Sequence, residues 1–448
     1  MGKKETGKKI SKKLLFAWPT RNISIGAATM LITYATFYAT DILGLSASAI
    51  ALMFVISKVF DGFTDFVAGA IIDKTNTKWG KGRPYELAII GMWIFLALYF
   101  CAPHTSNTVA YIYLFVMYTM AYSIFSTFLN CNESVYLANA LEDKSQSTTI
   151  TAVSGLCATG IALVVGIVLP QLVATIGTTR EGWRVISIIL AVVFTVIGLI
   201  RFLVVKEIKQ TGRKATEKLK VIEGVKLVFK NKYILLVAAV TFLGNILTSV
   251  GVGTYYYKYI MHDIGLASIM SLSLFSTIIA VALVPMLSKK ITLRRTLQLL
   301  LMIGLVGYLI KLINLQSVPL LFLSNFLGTL ASSLPIAFVA PLIIDCMDYG
   351  EWKNTERSEG MISCVSSITT KIGGAIGVGL GGFLLGLVHY NGTLEVQTVA
   401  VTNMIVAQCT ILPACLAAIL IVILQFYNLE DKIVEIRSDL KKRHKLDA

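Results

Sequence analysis

Twelve mostly apolar runs of membrane-spanning length occupy most of this 448-residue chain. A helix needs about 20 such residues to cross roughly 30 Å of hydrocarbon. The first six runs cover approximately 14–40, 46–72, 85–102, 109–139, 148–176 and 183–205. The second six cover approximately 233–260, 266–287, 296–313, 318–347, 360–388 and 399–426. With 56% of residues hydrophobic and 15% charged, a soluble fold is excluded and the bilayer becomes the solvent. The expected fold class is all-α integral membrane.

Short basic loops resist translocation, so Lys and Arg report orientation. Of the 40 Lys and Arg residues, 32 fall on one side: the N-terminal tail, 73–84, Lys144, 206–232, 287–295, 348–359 and the C-terminal tail. The opposite loops offer little beyond Arg180, Arg184 and Lys258. Both termini are therefore expected to be cytoplasmic, in a multi-pass protein of the cell membrane. Topology and attraction to anionic headgroups explain the net charge of +15, which leaves no reason to invoke nucleic acid. The basic start is not expected to be a cleaved signal, because the run after it is of spanning length and no small-residue cleavage site closes it.

The longest polar segment, 206–232, divides the runs six and six. The expected organisation is a bundle over 1–205, a cytoplasmic linker over 206–232, a bundle over 233–427 and a cytoplasmic tail over 428–448. The basic turn 73–84 after the second span has a weaker counterpart at 289–295 after the eighth, as a six-helix repeat requires. This is the major facilitator arrangement of twelve transmembrane helices in two six-helix bundles.

Ionisable groups at membrane depth are costly and mark function. The spans hold Arg21, Lys58, Asp61, Asp65, Glu133, Arg201, Lys311 and Lys371; Arg201 and Lys311 are expected near helix ends, snorkelling to the interface. Asp61 and Asp65 stand four residues apart, hence on one helical face with a rise of about 6 Å. Two carboxylates so placed repel, and a bound cation or proton relieves the repulsion. Hard oxygen ligands suit Na+ and paired acids suit H+. Lys58, one turn earlier, offsets part of the charge; the competing reading is a purely structural ion cluster.

The fourth run is polar toward one end, with Ser126, Thr127, Asn130, Asn132, Glu133 and Ser134. Thr127, Asn130 and Ser134 share a face. A hydroxyl there can complete a cation shell, while Asn130 and Glu133 can meet a polyol or amine; the alternative for Glu133 and Ser134 is interhelical hydrogen bonding. Lys371 precedes a glycine run, Gly373 to Gly382, that permits close helix approach. It has no acidic neighbour one turn away and needs a partner across the bundle. Arg21 and Asn22 follow Pro19 in the first run, and Arg21 either snorkels or adds positive charge to the solute site.

No P-loop, HExxH or nucleophile elbow is present, so an enzyme is not expected. The four histidines lie in loops or the tail and the seven cysteines show no CxxC spacing. Neither a histidine relay nor a structural metal site is expected. No cofactor is called for beyond the coupling ion.

Three stretches resemble one family closely. They are VFDGFTDFVAGAIIDKTNTKWGKGRP over Val59–Pro84, DYGEWKNTERSEGMISCVSSITTKIGGAIG over Asp348–Gly377, and TDILGLS over Thr40–Ser46. On them the chain is similar to the glycoside–pentoside–hexuronide:cation symporters of the major facilitator superfamily. The resemblance implies a monomeric carrier of a sugar or glycoside, driven by Na+ or H+. It implies a cation site of Asp61, Asp65 and Thr127, with Thr64 where relatives often carry Asn. It also implies that Lys371 links cation and sugar sites, that Ser367 lines the sugar pocket, and that Asn130 faces the sugar.

The departures fall on the solute side. The first span offers Arg21, Asn22 or Ile25 where relatives have an acid, Glu133 stands where an aromatic is common, and the fifth span lacks the usual arginine. An acidic sugar such as a hexuronide, contacting Arg21 and Lys371, is the expectation that follows. A non-sugar organic solute, or a sensor that kept the fold and lost transport, are the alternatives. In the flanking loops, Asp73, Lys74, Lys81 and Arg83, with Asp348, Glu351, Arg357 and Glu359, are expected to form a cytoplasmic gate whose ion pairs differ between two states.

Overall fold

In α6, Arg180–Val204, the outward stripe Ile188, Ile189, Val192, Val193 and Val196 is 46–62% exposed, while Trp183, Ser187, Phe194, Gly198 and Arg201 are buried. Branched aliphatics outside, with aromatic, small and polar groups inside, is a pattern suited to lipid, where the outward face needs no polar cover. The structure, a computed structural model, describes residues 11–140, 147–207, 231–250, 252–288, 290–332, 339–354 and 359–446. These residues are helical with no strand, apart from an isolated bridge between Thr77 and Gly80.

Among the described residues, nine helices are long and apolar enough to cross a membrane. Six of the chain's first spans are α1 (Lys12–Ile42), α2 (Ala47–Lys74), α3 (Arg83–Phe100), α4 (Asn107–Leu137, continuing to Ala140), α5 (Ser147–Thr175) and α6. The others are α7 (Lys232–Ser249 and Gly253–Tyr259), α8 (Leu266–Ser271 continuing to Phe275–Ser288), α9 (Leu293–Ile310), α10 (Val318–Ser332 and Val339–Asn354), α11 (Glu359–Leu387) and α12 (Val399–Cys409 and Ile411–Gln425). Of these twelve, α2 falls short of the nine because Lys58, Asp61 and Asp65 interrupt its apolar run, and α8 and α10 because their apolar stretches are short.

The chain divides into two compact units. Unit 1 holds the described residues of 1–213 with 263–271 and 390–395. Within it α1 packs along α5 and α6, α3 lies on α6, and α2 pairs with α4. Trp183 and Phe100 stack with ring centroids 5.2 Å apart, and Tyr38 lies 5.6 Å from Trp183. Tyr390 donates a hydrogen bond to Asp41 at 2.7 Å within the same unit.

Unit 2 holds the described residues of 214–262, 272–389 and 396–448. Here α7 packs along α11 at its glycines: a Cβ at Gly373 would lie 2.4 Å from the carbonyl of Phe242, and one at Gly377 2.7 Å from Cβ of Ser249. Backbones that close require glycine. The tail is a further helix, α13 (Glu430–Leu446), whose Ile433, Ile436 and Leu440 join the core of unit 2 with Leu297, Leu301 and Leu420. Most of the linker expected at 206–232 lies outside the described residues.

Two helix irregularities matter for sites. A π-helical stretch, Met120–Ser126, interrupts α4 just before Thr127, and such stretches re-aim side chains and recur at functional sites. In α12 the helix breaks at Thr410 (φ −131°, ψ −68°), where Pro413 cannot donate to the carbonyl of Cys409.

Candidate functional site

Asp61 lies on α2 at 6% exposure and faces the π-helical stretch of α4. Thr127 donates its hydroxyl to Asp61 Oδ1 at 2.7 Å, and Lys58 Nζ stands 4.0 Å from Oδ2. The lysine also lies over the Tyr122 ring, 5.7 Å from its centroid. The Thr64 hydroxyl, with one proton to donate, lies 3.0 Å from the carbonyl oxygen of Asp61 and 2.5 Å from that of Ser123. Its oxygen lone pairs are left to accept or ligate. Asp65 is half-buried one turn on, where Cys131 Sγ lies 3.9 Å from Oδ1.

A hydroxyl ladder continues from this point. Ser123 donates to the carbonyl of Ser57 at 2.9 Å, the Ser57 and Ser123 hydroxyls lie 3.2 Å apart, and Thr119 donates to Ser57 Oγ at 3.0 Å. All are buried. The sequence offered no reason to single out these three residues, because a Ser or Thr in an apolar run reads as small packing; the pairing of α4 with α2 brings Thr119 and Ser123 to Ser57. Oxygen donors thus dominate around Asp61. That set can ligate a hard monovalent cation, or hold one carboxyl protonated.

A second charged constellation sits elsewhere in unit 1. Arg21 pairs with Glu86 at 3.1 Å and with Glu133, and donates to the carbonyl of Leu129 at 2.8 Å. Arg201 pairs with Glu133 at 2.8 Å and Glu86 at 3.5 Å, and its guanidinium lies 3.3 Å from the centroid of the Trp18 ring. The Trp18 indole donates to Glu133 at 3.2 Å, and Asn132 donates to Glu86 at 3.1 Å.

Two guanidinium groups and two carboxylates cancel. Arg21 and Arg201 are 2% and 0% exposed, so neither snorkels, which corrects the expectation for Arg201 and selects against one of the two readings of Arg21. The sequence placed Arg21 and Glu133 beside a solute; the structure commits their charged ends to each other. Glu86, which the sequence reading passed over at the first turn of α3, is the residue that changes the result.

The other expected solute contacts are scattered over both units. Asn22 is half-buried on α1 and Asn130 is exposed on α4, with its amide 3.4 Å from Ser126 Oγ. Lys371 is half-buried on α11. Ser134 and Ser367 lie in α4 and α11, and their side chains fall outside the described residues.

Of the loop residues expected to form a gate, Lys81, Arg83 and Asp348 make contacts within their own unit. The Glu207 carboxylate accepts the backbone N–H groups of Lys81 at 2.9 Å, Gly82 at 2.6 Å and Arg83 at 2.6 Å, and the Asn139 amide at 3.2 Å. Arg83 Nε donates to the carbonyl of Phe202 at 2.9 Å. Gly80, at φ +118°, permits the turn, since a Cβ there would fall 2.5 Å from the Glu207 carboxyl carbon. Glu207 escaped the sequence reading because a lone acid opening a basic linker carries no signal.

In unit 2, Arg437 of α13 binds Asp348 at 2.8 Å and Asp345 at 2.9 Å. The bond to Asp348 raises the guanidinium pKa above its ordinary value. Glu351 is buried and Lys74 exposed. The side chains of Asp73 and Glu359 fall outside the described residues, as does all of Arg357.

Residues 23–431 match the family described as MFS/sugar transport protein. The chain belongs to that family. It is 28% identical over 429 residues to an isoprimeverose transporter of Lactiplantibacillus pentosus, covering 93% of this chain and 88% of that one. It is 26% identical over 427 residues to a glucuronide carrier protein homolog of Escherichia coli K12, covering 91% and 92%. A putative sulfoquinovose importer of the same organism is 26% identical over 373 residues, covering 79% of this chain and 77% of the importer. The fold is similar to that of a bacterial homolog of the human lysosomal transporter Spinster in an inward-facing, unoccupied conformation. That likeness has a TM-score of 0.66 at 14% identity and covers 93% of this chain and 98% of that one. This MFS transporter is therefore a multi-pass membrane protein, as the apolar helices require.

Proposed function

We propose that this MFS transporter is a secondary symporter that couples entry of a monovalent cation, Na+ or H+, to that of a sugar or glycoside. Asp61, Asp65, Thr64 and Thr127 form the cation site; Asn22, Asn130, Ser134, Ser367 and Lys371 serve the solute. Both termini are cytoplasmic, on the strength of the one-sided basic loops, and the working unit is a monomer. The observation that carries the reading is the Thr127 to Asp61 hydrogen bond of 2.7 Å, made between α4 and α2. Lys58 Nζ stands 4.0 Å from the other oxygen of Asp61.

Such a carboxylate is costly unless a cation or proton joins it. Coupling then follows from linkage: each ligand raises the affinity for the other by the same factor. Relatives named for isoprimeverose, glucuronide and sulfoquinovose support a carbohydrate cargo. An acidic sugar has less support than the sequence suggested, because Glu86 and Glu133 neutralise Arg21.

The test is uptake of labelled isoprimeverose, a glucuronide and sulfoquinovose into proteoliposomes under a Na+ gradient, then under a pH gradient. Accumulation under one gradient, lost in Asp61→Asn, names the ion. Binding without accumulation under either gradient would overturn transport in favour of a sensor.

A further inference from the structure

Lys311 follows the last residue of α9, where a lysine ordinarily reaches out to the interface. It does not do so here. The residue is 5% exposed, its Nζ lies 3.3 Å from Asn325 Oδ1, and it stands 5.1 Å from the centroid of the Tyr256 ring. It lines a cavity of about 330 Å³ in unit 2, bounded by α7, α9, α10 and α12. That volume is within the roughly 300–1,000 Å³ common for small-molecule sites. No acidic residue lines it among the described residues.

The lining has two further properties. Gln408 is 3% exposed, and both its Nε2 and its Oε1 lack a hydrogen-bond partner among the described residues. It stands two residues before the Thr410 break, so it faces the cavity from an interrupted helix. Tyr256, Tyr257 and Tyr308 contribute aromatic surface, and Asn325, Thr329 and Ser332 contribute polar groups. Asn325 links the lysine to Tyr257, donating to its hydroxyl at 3.3 Å.

A buried ammonium without a carboxylate calls for an anion, and a buried amide calls for one acceptor and one donor. A halide would satisfy Lys311 and Gln408 Nε2 but leave Oε1 unanswered. A neutral sugar would answer Gln408 and leave the charge. The geometry points to a second, ligand-binding site in unit 2, taking a hydroxylated carboxylate of sugar-acid type. Its carboxylate meets Lys311, and a hydroxyl bridges to Gln408. The site is independent of the cation site at Asp61.

The experiment uses the full chain in detergent at constant potassium concentration and follows melting with glucuronate, glucose and chloride as the probes. Glucuronate raises the melting temperature in a saturable way, while glucose and chloride do not. Lys311→Met and Gln408→Leu each weaken glucuronate about tenfold or more, as expected for removing a buried charge or hydrogen-bond partner. Lys371→Ala, which alters the solute side of the proposed transport site, leaves the shift in place.

No glucuronate shift in the wild type, or an equal shift with chloride, overturns the inference. So does an undiminished shift in Lys311→Met and Gln408→Leu. A shift lost in Lys371→Ala but kept in Lys311→Met overturns it while leaving the transport reading standing. Should Lys311→Met fail to fold, Gln408→Leu decides.

Discussion

The hydroxyl of Thr127 meets Oδ1 of Asp61 at 2.7 Å across 66 residues of sequence, at the point where α4 leaves its π-helical stretch. Lys58 approaches the other oxygen from the preceding turn of α2. One carboxylate is thus held from two helices, with the hydroxyls of Thr64, Ser123 and Ser57 continuing the polar path.

Thr127→Val keeps the shape of the side chain and removes the donor. Cation-driven uptake should then need about tenfold or more of the coupling ion for half-saturation, the size expected for one hydrogen bond to a charged group. Thr127→Ser should retain most of the affinity. Ion titration of uptake checks both.

Arg201→Met leaves Glu86 and Glu133 facing Arg21 alone. Breaking a buried ion network costs about 3–5 kcal/mol, so the melting temperature should fall well below that of the wild type. Adding Glu86→Gln restores the charge balance and should recover part of the loss. Thermal melts of the two single variants and the double variant measure this coupling.

Gly80→Ala combines φ +118° with a Cβ placed against the Glu207 carboxylate. A loss of about 1–3 kcal/mol is expected. In Glu207→Ala the crowding is gone, though the three backbone N–H groups lose their acceptor. The double variant should therefore be less damaged than the sum of its parts, which thermal melts can resolve.

Arg437→Ala removes contacts from a side chain that is 47% exposed, so its cost should stay under about 1 kcal/mol. Ile436→Asp, at a position 3% exposed in the unit 2 core, should cost about 3 kcal/mol or more by burying an unpaired charge. Comparing the two melts tests whether α13 is held chiefly by apolar packing.

The spans were legible because each is a local property: the run lengths that indicated helices need no knowledge of neighbours. Asp61, Asp65 and Thr127 were legible through cost and resemblance. The mutual pairing of Arg21 and Glu133 was not legible, because their further partners, Glu86 and Arg201, lie 65 and 68 residues away. A stranded charge looks the same in sequence whether it awaits a ligand or another side chain. The tail over 428–448 read as polar, yet its apolar residues every third or fourth position form the helix that docks into the core.

By itself the sequence determined that the chain is helical, that it crosses a membrane many times, and that two carboxylates occupy the second span. Each of these follows from composition and spacing within a single segment. Tertiary structure decided which charges are neutralised and which sit beside space. Arg21 and Arg201 are closed off by acids from other helices, whereas Lys311 and Gln408 line a cavity that four helices enclose. The physical reason is that the energy of a buried charge is set by what surrounds it in space.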